Sequence, residues 1–372
     1  MRRLCVLTLC VFAVILTAGQ AGAANWPQWR GPSFNGSSPE TDLPEEFGPE
    51  KNLAWKAKLP GVGGCTPVIW GDRVFLSTQD EKNRTWAVCL STTDASILWK
   101  HRIGSGFANR QGNTAASPSA VTDGKHVWFL FGTGELLCYN MKGKEIWSRD
   151  LEEDHGAWVY LWGFGSSALL HDGKLYIPVL HGDHREKFTP GTKSYLLCVD
   201  AETGKDMWKQ VRPCRAPYEA KQAYTTPIPL KRDGRTQILV NGADHVTAHS
   251  PKTGKELWRS PTWNPKGVRT YRTICSQAVA DGVVLVSGSR GTGLYAYRPG
   301  EDEWAWTIDQ KSPDVPTPLT YRGRFYVLND RSTVLRAIEP ETGKVQGKSE
   351  LGGYKSFHPS PTAAEGKIYC MN

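Results

Sequence analysis

Residues 181–186 place two histidines and two carboxylates within one short stretch. Imidazole and carboxylate groups are common ligands of divalent metal ions, so His181, Asp183 and His184 are candidate metal ligands. An arginine and a lysine lie among or beside them and would repel a cation. In a flexible loop such residues more often stay solvated, and the sequence leaves both interpretations open.

A second set of candidates combines aromatic side chains with arginines and acids in long connecting segments. Such residues are enriched at recognition surfaces. The alternative is that the aromatic rings fill junctions between structural units. We expect a ligand or partner to contact this set, which comprises Asp154, His155, Trp158, Trp162, Arg215, Tyr218, Glu219, Tyr224, Tyr271 and Arg272.

Other chemistry is poorly supported by the residue pattern. No Ser/His/Asp arrangement stands out, and we expect no catalytic residue. The cysteines after residue 24 form no Cys-x-x-Cys pair and lack zinc-site spacing. Three of them, Cys89, Cys138 and Cys198, occupy one repeated position, which favours buried small apolar side chains.

The composition indicates a folded, β-rich chain. The 372 residues include 38 Gly and 24 Pro, with 15 Trp, 13 Tyr and 11 Phe to build a core. This composition excludes collagen, coiled coils and low-complexity chains. The formal net charge of +8 is spread along the sequence without a basic run, which argues against nucleic-acid binding.

The first 24 residues have the layout of a secretory signal peptide. Arg2 and Arg3 precede an apolar run over residues 4–18, and small residues follow at 21–23. The apolar run is shorter than the roughly 20 residues of a membrane span, although an uncleaved anchor is the alternative. We therefore expect an exported protein, periplasmic or extracellular, with no transmembrane span after cleavage. An extended segment, 25–50, would precede one domain, 51–372.

That domain is built from a repeat. A small residue precedes a tryptophan by nine or ten positions in successive units, often with Thr-Gly-Lys between them. The tryptophans recur about every 44–61 residues, a spacing typical of β-propeller blades. We expect each indole to pack against the adjoining blade. The series is Trp55, Trp99, Trp147, Trp208, Trp258 and Trp306.

Each unit reads as four short strands. Segments such as Thr66-Pro67-Val68 and Thr317-Pro318-Leu319 begin the first strand, and an Asp-Gly or Gly-Asp turn follows. The sequence predicts an all-β, monomeric β-propeller of about seven four-stranded blades, with eight as the alternative. The last blade is incomplete before residue 372, unless the natural chain continues. Residues 53–56 would supply its fourth strand and close the ring.

The repeat of small residue, Asp, Thr-Gly-Lys and Trp resembles that of pyrroloquinoline-quinone (PQQ) propellers. That family includes quinoprotein dehydrogenases and the non-enzymatic, BamB-like propellers of outer-membrane assembly. Residues 26–32, with Trp55 and Lys56 downstream, are similar to exported PQQ-like propellers of planctomycete-type bacteria. The resemblance covers roughly residues 25–372 and is more specific for fold than for function.

The resemblance implies two functions. PQQ enzymes hold Ca²⁺ beside the quinone, use an Asp as base and often carry a vicinal disulfide. This chain has no adjacent cysteines and no Cys-x-x-Cys-His motif. We therefore expect no cofactor and a non-catalytic binding or scaffold protein of the cell envelope, with an envelope protein or glycan as partner. A PQQ-dependent dehydrogenase with calcium is the alternative. A small ligand would bind over the central channel, near residues 154–164 and 212–224.

Overall fold

The computed structural model describes residues 24–110, 112–182, 193–309, 312–352 and 356–372. These residues form seven antiparallel sheets, six with four strands and one with two. Within each sheet the strands are paired in chain order, which is the topology of propeller blades. The prediction of a β-propeller of about seven blades is confirmed, and the described residues form two strands of the last blade.

The first three blades contain twelve strands, which are bounded as follows. Blade 1 has β1 (Val68–Trp70), β2 (Arg73–Gln79), β3 (Arg84–Ser91) and β4 (Ile97–Ser105). Blade 2 has β5 (Val121–Thr122), β6 (His126–Leu130), β7 (Glu135–Asn140) and β8 (Glu145–Asp150), followed by a short helix, α1 (Leu151–His155). Blade 3 has β9 (Leu169–His171), β10 (Lys174–Val179), β11 (Tyr195–Asp200) and β12 (Asp206–Val211).

The remaining blades follow the same order. Blade 4 has β13 (Ile228–Arg232), β14 (Arg235–Gly242), β15 (His245–His249) and β16 (Glu256–Arg259), and Tyr218–Lys221 forms a 3-10 turn before it. Blade 5 has β17 (Ala278–Ala280), β18 (Val283–Ser287), β19 (Gly293–Tyr297) and β20 (Trp306–Asp309), with a 3-10 turn at Ser289–Gly291. Blade 6 has β21 (Leu319–Tyr321), β22 (Arg324–Leu328), β23 (Val334–Ile338) and β24 (Val345–Glu350). Blade 7 has β25 (Thr362–Ala364) and β26 (Lys367–Tyr369).

Tight turns join the first two strands of each blade. Asp172 and Gly173 have φ values of 51° and 67° between β9 and β10. Asp281 and Gly282 have 48° and 78° between β17 and β18. Paired positive φ values match the right-handed twist of a two-residue hairpin, and Asp-Gly tolerates them well.

The repeated tryptophans bind neighbouring blades. All of them except Trp55 lie opposite the small residue of the preceding strand, as Trp99 does opposite Cys89. Five of the six indole Nε1–H groups donate to the backbone of a turn between the third and fourth strands of the next blade. These bonds run from Trp55 to Thr92 (2.7 Å), Trp99 to Met141 (3.2 Å), Trp147 to Ala201 (3.1 Å), Trp208 to Pro251 (3.2 Å) and Trp306 to Pro340 (2.7 Å).

Trp258 is the exception in this series. Its Nε1–H donates to Oε1 of Gln237 in its own blade at 2.7 Å, although its ring still lies 5.4 Å from that of Tyr297 in blade 5. The contact between blades 4 and 5 therefore relies on ring packing at this position.

The N-terminal segment 24–38 runs along the inner strands rather than lying apart from the propeller. Its ends join the first and last blades, since Trp26 pairs with Ile69 of β1 and Ser37 with Ala363 of β25. Phe34 packs against apolar clusters of blades 3 and 4. Further bonds reach inner strands of other blades, from Thr122 N to Pro27 O (2.8 Å), Leu170 N to Gln28 Oε1 (3.2 Å) and Thr320 N to Asn35 O (3.3 Å).

Residues 53–56 differ from the prediction in one respect. They form no strand, although Trp55 makes the same indole bond as the tryptophans of complete blades. Blade 7 has no third strand among the described residues, so this segment has no backbone partner in its sheet. Trp55 therefore makes the contact of a fourth-strand tryptophan, but residues 53–56 do not pair with a strand of blade 7.

No helix in the described residues is both long and apolar enough to cross a membrane.

Candidate functional site

A ring of hydroxyl side chains links the seven blades at the start of their inner strands. Each of the seven residues lies two positions before its strand. The backbone N–H of the first six donates to the hydroxyl of the next blade in chain order, and no such bond joins Ser360 to Thr66 among the described residues. The six bonds are 2.9–3.1 Å long. The hydroxyl ring consists of Thr66, Ser119, Ser167, Thr226, Ser276, Thr317 and Ser360.

This ring surrounds a central cavity of about 750 Å³. The volume suits a small molecule, since ligand pockets commonly hold about 300–1,000 Å³. The N-terminal segment contributes Trp26, Trp29 and Arg30 to the lining, and the last strand contributes Tyr369. The described lining residues include no aspartate and no glutamate.

Part of the predicted aromatic and charged set lies together on the connections between blades. Trp162 Nε1 donates to Glu219 at 3.1 Å, and Arg272 lies 3.6 Å from the same carboxylate. Arg272 also pairs with Asp314 of blade 6 at 3.3 Å. This network ties blades 3 to 6 together. Tyr224 lines the central cavity, with its hydroxyl donating to Gln222.

Asp154 and His155 lie away from that network. Arg149 bridges Asp154 and Asp206 at 2.6 Å each, and His155 Nε2 is 3.1 Å from Asp206. These contacts join the outer strands of blades 2 and 3. Burial lowers the pKa of His155, which opposes its protonation despite the nearby carboxylate of Asp206.

The other predicted contact residues have varied surroundings. Trp158 packs in the core beside Phe164, with ring centroids 4.2 Å apart. The Arg269 guanidinium carbon lies 3.1 Å from the centroid of the Tyr218 ring. Tyr271 packs against a small apolar cluster of Ala216, Ala220 and Ala243. Arg215 is exposed. The structure therefore divides the predicted set between core packing, an ionic network and the cavity wall.

His181 is held by protein groups on both ring nitrogens. Nδ1 accepts the Val159 N–H at 3.1 Å, and Nε2 lies 3.4 Å from the Lys193 carbonyl. Burial lowers its pKa to about 4, so the ring is neutral at physiological pH. Asp183 and His184 lie outside the described residues, so the metal site stays a prediction.

The cavity residues do not fit a quinone bound with calcium. Ca²⁺ takes about six to eight oxygen ligands, typically including carboxylates. The described lining offers hydroxyl and carbonyl oxygens but no carboxylate that could bind the ion or act as the base. Across the described ranges, no cluster of three or more His, Cys, Asp or Glu could hold a metal ion.

Sequence reasoning missed two features of this site. In the sequence, the hydroxyl ring shows only as a Thr before a proline in segments such as Thr66-Pro67-Val68, a pattern that Ser119 does not follow because alanine comes after it. Ser119 is the ring member. Arg30 lies within residues 26–32, which the sequence singled out only by their similarity to exported PQQ-like propellers. Its contacts to Pro318 and Pro361 are too distant in the sequence to be predicted. A Ser or Thr two positions before each inner strand was the available signal.

Comparisons with known proteins agree with this architecture. A family model described as outer membrane protein assembly factor BamB matches residues 49–160 and 242–367. Among solved structures, BamB from Moraxella catarrhalis has a TM-score of 0.58 at 13% identity, covering 85% of this chain and 82% of that one. A quinohemoprotein alcohol dehydrogenase from Comamonas testosteroni has a TM-score of 0.52 at 12% identity, covering 95% and 77%. At these identities the structures show the fold alone.

A curated relative is also similar across most of the sequence. Polyvinylalcohol dehydrogenase of Sphingopyxis sp. (strain 113P3) is 24% identical over 94% of this chain and 54% of its own length. The chain spans about half the length of the curated relatives it matches. The family match covers well over half of the sequence, and the chain therefore belongs to the BamB-like family of PQQ-repeat β-propellers.

Proposed function

We propose that this protein is a non-catalytic binding propeller of the cell envelope, whose central cavity and the connections near residues 154–164 and 212–224 receive the ligand or partner. The observation that supports it most is the carboxylate-free lining of the cavity among the described residues. An alcohol dehydrogenase needs a group that accepts the substrate proton, and calcium needs hard oxygen ligands. The cavity offers a binding site without either group.

The envelope location follows from the proposed signal peptide over residues 1–24. The similarity to BamB supports an envelope protein as partner, and the aromatic rings near the cavity also suit a glycan. We propose that the mature protein acts as a monomer, since its repeated units already bury their faces against one another within one chain.

The competing function is a PQQ-dependent dehydrogenase, because relatives carry that name. The test is dye-linked oxidation of a panel of primary and secondary alcohols and polyvinyl alcohol. Residues 25–372 would be loaded with PQQ and Ca²⁺, and a quinohemoprotein alcohol dehydrogenase would serve as the positive control. We expect no PQQ-dependent dye reduction above the protein-free rate. Saturable turnover that requires both PQQ and this chain would refute the proposed function.

A further inference from the structure

Arg30 is a buried cation in the wall of the central cavity. Its side chain is carried by the N-terminal segment, and the residue is only 4% exposed. Nη1 donates to the Pro361 carbonyl at 3.0 Å, and Nη2 donates to the carbonyls of Asn35 and Pro318 at 2.9 and 3.0 Å. All three acceptors are neutral. No carboxylate in the described residues forms an ion pair with Arg30.

A buried charge without a counter-ion is costly in free energy. Burial lowers the pKa of Arg30 to about 10, which still leaves the guanidinium charged at neutral pH. A guanidinium has five N–H donors, and the three carbonyls occupy three of them. The Nε–H and one Nη1–H have no acceptor among the described residues. The cavity therefore contains a positive charge with unused donors.

The hydroxyl ring adds further donors. Ser119, Ser167, Thr226, Ser276, Thr317 and Ser360 each accept a backbone N–H through the side-chain oxygen. None of the hydroxyls in the ring donates to another described protein group. Since a hydroxyl can donate one hydrogen bond while accepting others, these protons are available to a ligand in the cavity.

We propose that the central cavity binds a small organic oxyanion of about the size of a sugar acid, with Arg30 as the charge partner and the hydroxyl ring as additional donors. The class follows from the chemistry: a cation and hydroxyl donors in a wall without described carboxylates favour an acceptor-rich anion over a cation or a neutral apolar molecule. Trp26, Trp29, Tyr224 and Tyr369 also line the cavity, and aromatic side chains favour a ligand that contains a ring. The volume of about 750 Å³ limits the ligand to a small molecule.

The inference rests on the proposed function, because it takes the cavity as a binding site. It would be tested by isothermal titration of residues 25–372 with glucuronate, with inorganic sulfate and with uncharged glucose. We expect glucuronate to bind at least tenfold more tightly than glucose, and sulfate to compete with it. Arg30→Gln should weaken glucuronate binding at least tenfold. Arg235→Gln removes an equal charge from the exposed first residue of β14 and should leave the affinity unchanged.

Arg30 also ties the N-terminal segment to blades 6 and 7, so its replacement could unfold the protein. Cysteine alkylation of the unaltered protein gives a second measurement. Cys65 and Cys370 line the cavity, whereas Cys214 packs in a separate cluster. Because burial raises the pKa of Cys65 and Cys370 to about 11, the labelling is done at mildly alkaline pH, where part of each thiol is ionised. Glucuronate should slow iodoacetamide labelling of Cys65 and Cys370 relative to Cys214, as measured by peptide mass spectrometry, and glucose should not.

The inference would be overturned by equal affinity for glucuronate and glucose, by the absence of glucuronate binding, by a folded Arg30→Gln variant of unchanged affinity, or by unprotected Cys65 and Cys370. Equal affinity for the two sugars would reject charge recognition while leaving a binding cavity in place. PQQ-dependent turnover would instead reject the proposed function, whatever the result with glucuronate.

Discussion

Asp244 is a buried carboxylate in the turn between β14 and β15, only 5% exposed. Asn264 Nδ2 lies 3.3 and 3.2 Å from its two oxygens. Burial raises the pKa of Asp244 to about 7, although the Asn264 hydrogen bond and the Arg212 charge favour ionisation. The native state thus retains a proton that the unfolded chain has already released near neutral pH.

This raised pKa predicts a pH-dependent stability. The contribution of Asp244 to the free energy of unfolding is fully present below the pKa of about 4 that it has in the unfolded chain. This stabilisation is lost as the pH rises to the native pKa of about 7, because the native protein must then bury the ionised carboxylate. Asp244→Asn keeps the shape and cannot ionise. Its melting temperature relative to wild type should therefore be higher at pH 8 than at pH 5. An identical difference at both pH values would contradict this account.

The hydroxyl ring gives a second prediction for single residues. Ser276→Ala removes the acceptor of the Thr226 N–H, which is buried at the blade 4–5 junction. An unsatisfied buried donor costs about 1–3 kcal/mol. We expect a loss of that size in the free energy of urea unfolding. Ser148→Ala, on an exposed face of β8, should change it by less than about 0.5 kcal/mol. Equal effects would show that the ring bonds do not stabilise the blades.

At the scale of elements, the Thr-Gly turns pack beneath tryptophans of the preceding blade. Gly254 has φ of 73°, and a Cβ added there would lie 2.5 Å from the Trp208 ring. Gly234 has φ of 70° in a hairpin, with open space around it. Both glycines have the left-handed backbone conformation that other residues rarely adopt, but only Gly254 also leaves room for the indole of Trp208.

Alanine substitutions can separate these two roles. Gly234→Ala should cost about 1–2 kcal/mol for its backbone conformation alone. Gly254→Ala should cost about 1–3 kcal/mol more, because its methyl group collides with Trp208. Chemical denaturation of both variants measures the difference. Indistinguishable losses would show that close packing under the indole is unimportant.

The N-terminal segment is the element that connects the ends of the propeller. Deleting residues 24–38 would remove backbone or side-chain bonds to blades 1, 2, 3, 6 and 7. We expect residues 39–372 to melt several degrees lower and to aggregate through the freed edges. A deletion variant that stays monomeric by light scattering, with unchanged melting, would contradict this role.

The sequence predicted best the turns and strands whose structure depends on residues close together in the chain. Asp-Gly hairpins and the alternation of small residue and tryptophan depend on neighbouring positions, so Cys89 and Trp99 could be placed on paired strands. The hydroxyl ring and the site of Arg30 depend on contacts between residues hundreds of positions apart, such as Arg30 with Pro361. No local periodicity encodes such contacts. Asp154 and His155 make contacts that join the outer strands of two blades, which the local sequence does not encode, and their role in ligand binding stays a prediction.

On the scale of the whole molecule, seven sheets surround one cavity, and the N-terminal segment supplies part of its wall. One fold can carry unrelated functions, so this architecture alone does not decide between an enzyme and a binding protein. What separates the two is the chemistry of the cavity lining. In the described residues that lining has a buried arginine and hydroxyl groups, without a carboxylate for calcium or for proton abstraction.

The most direct measurement is a thermal-shift titration of residues 25–372 with PQQ, in the presence and absence of Ca²⁺. A ligand at about 100 times its Kd stabilises the native state by about 2.7 kcal/mol, which is detectable as a shift of a few degrees or less in a chain of this length. We expect the melting temperature with PQQ and Ca²⁺ to equal that with PQQ alone, because the described lining has no carboxylate to hold the ion. A saturable rise that requires both PQQ and Ca²⁺ would contradict this expectation.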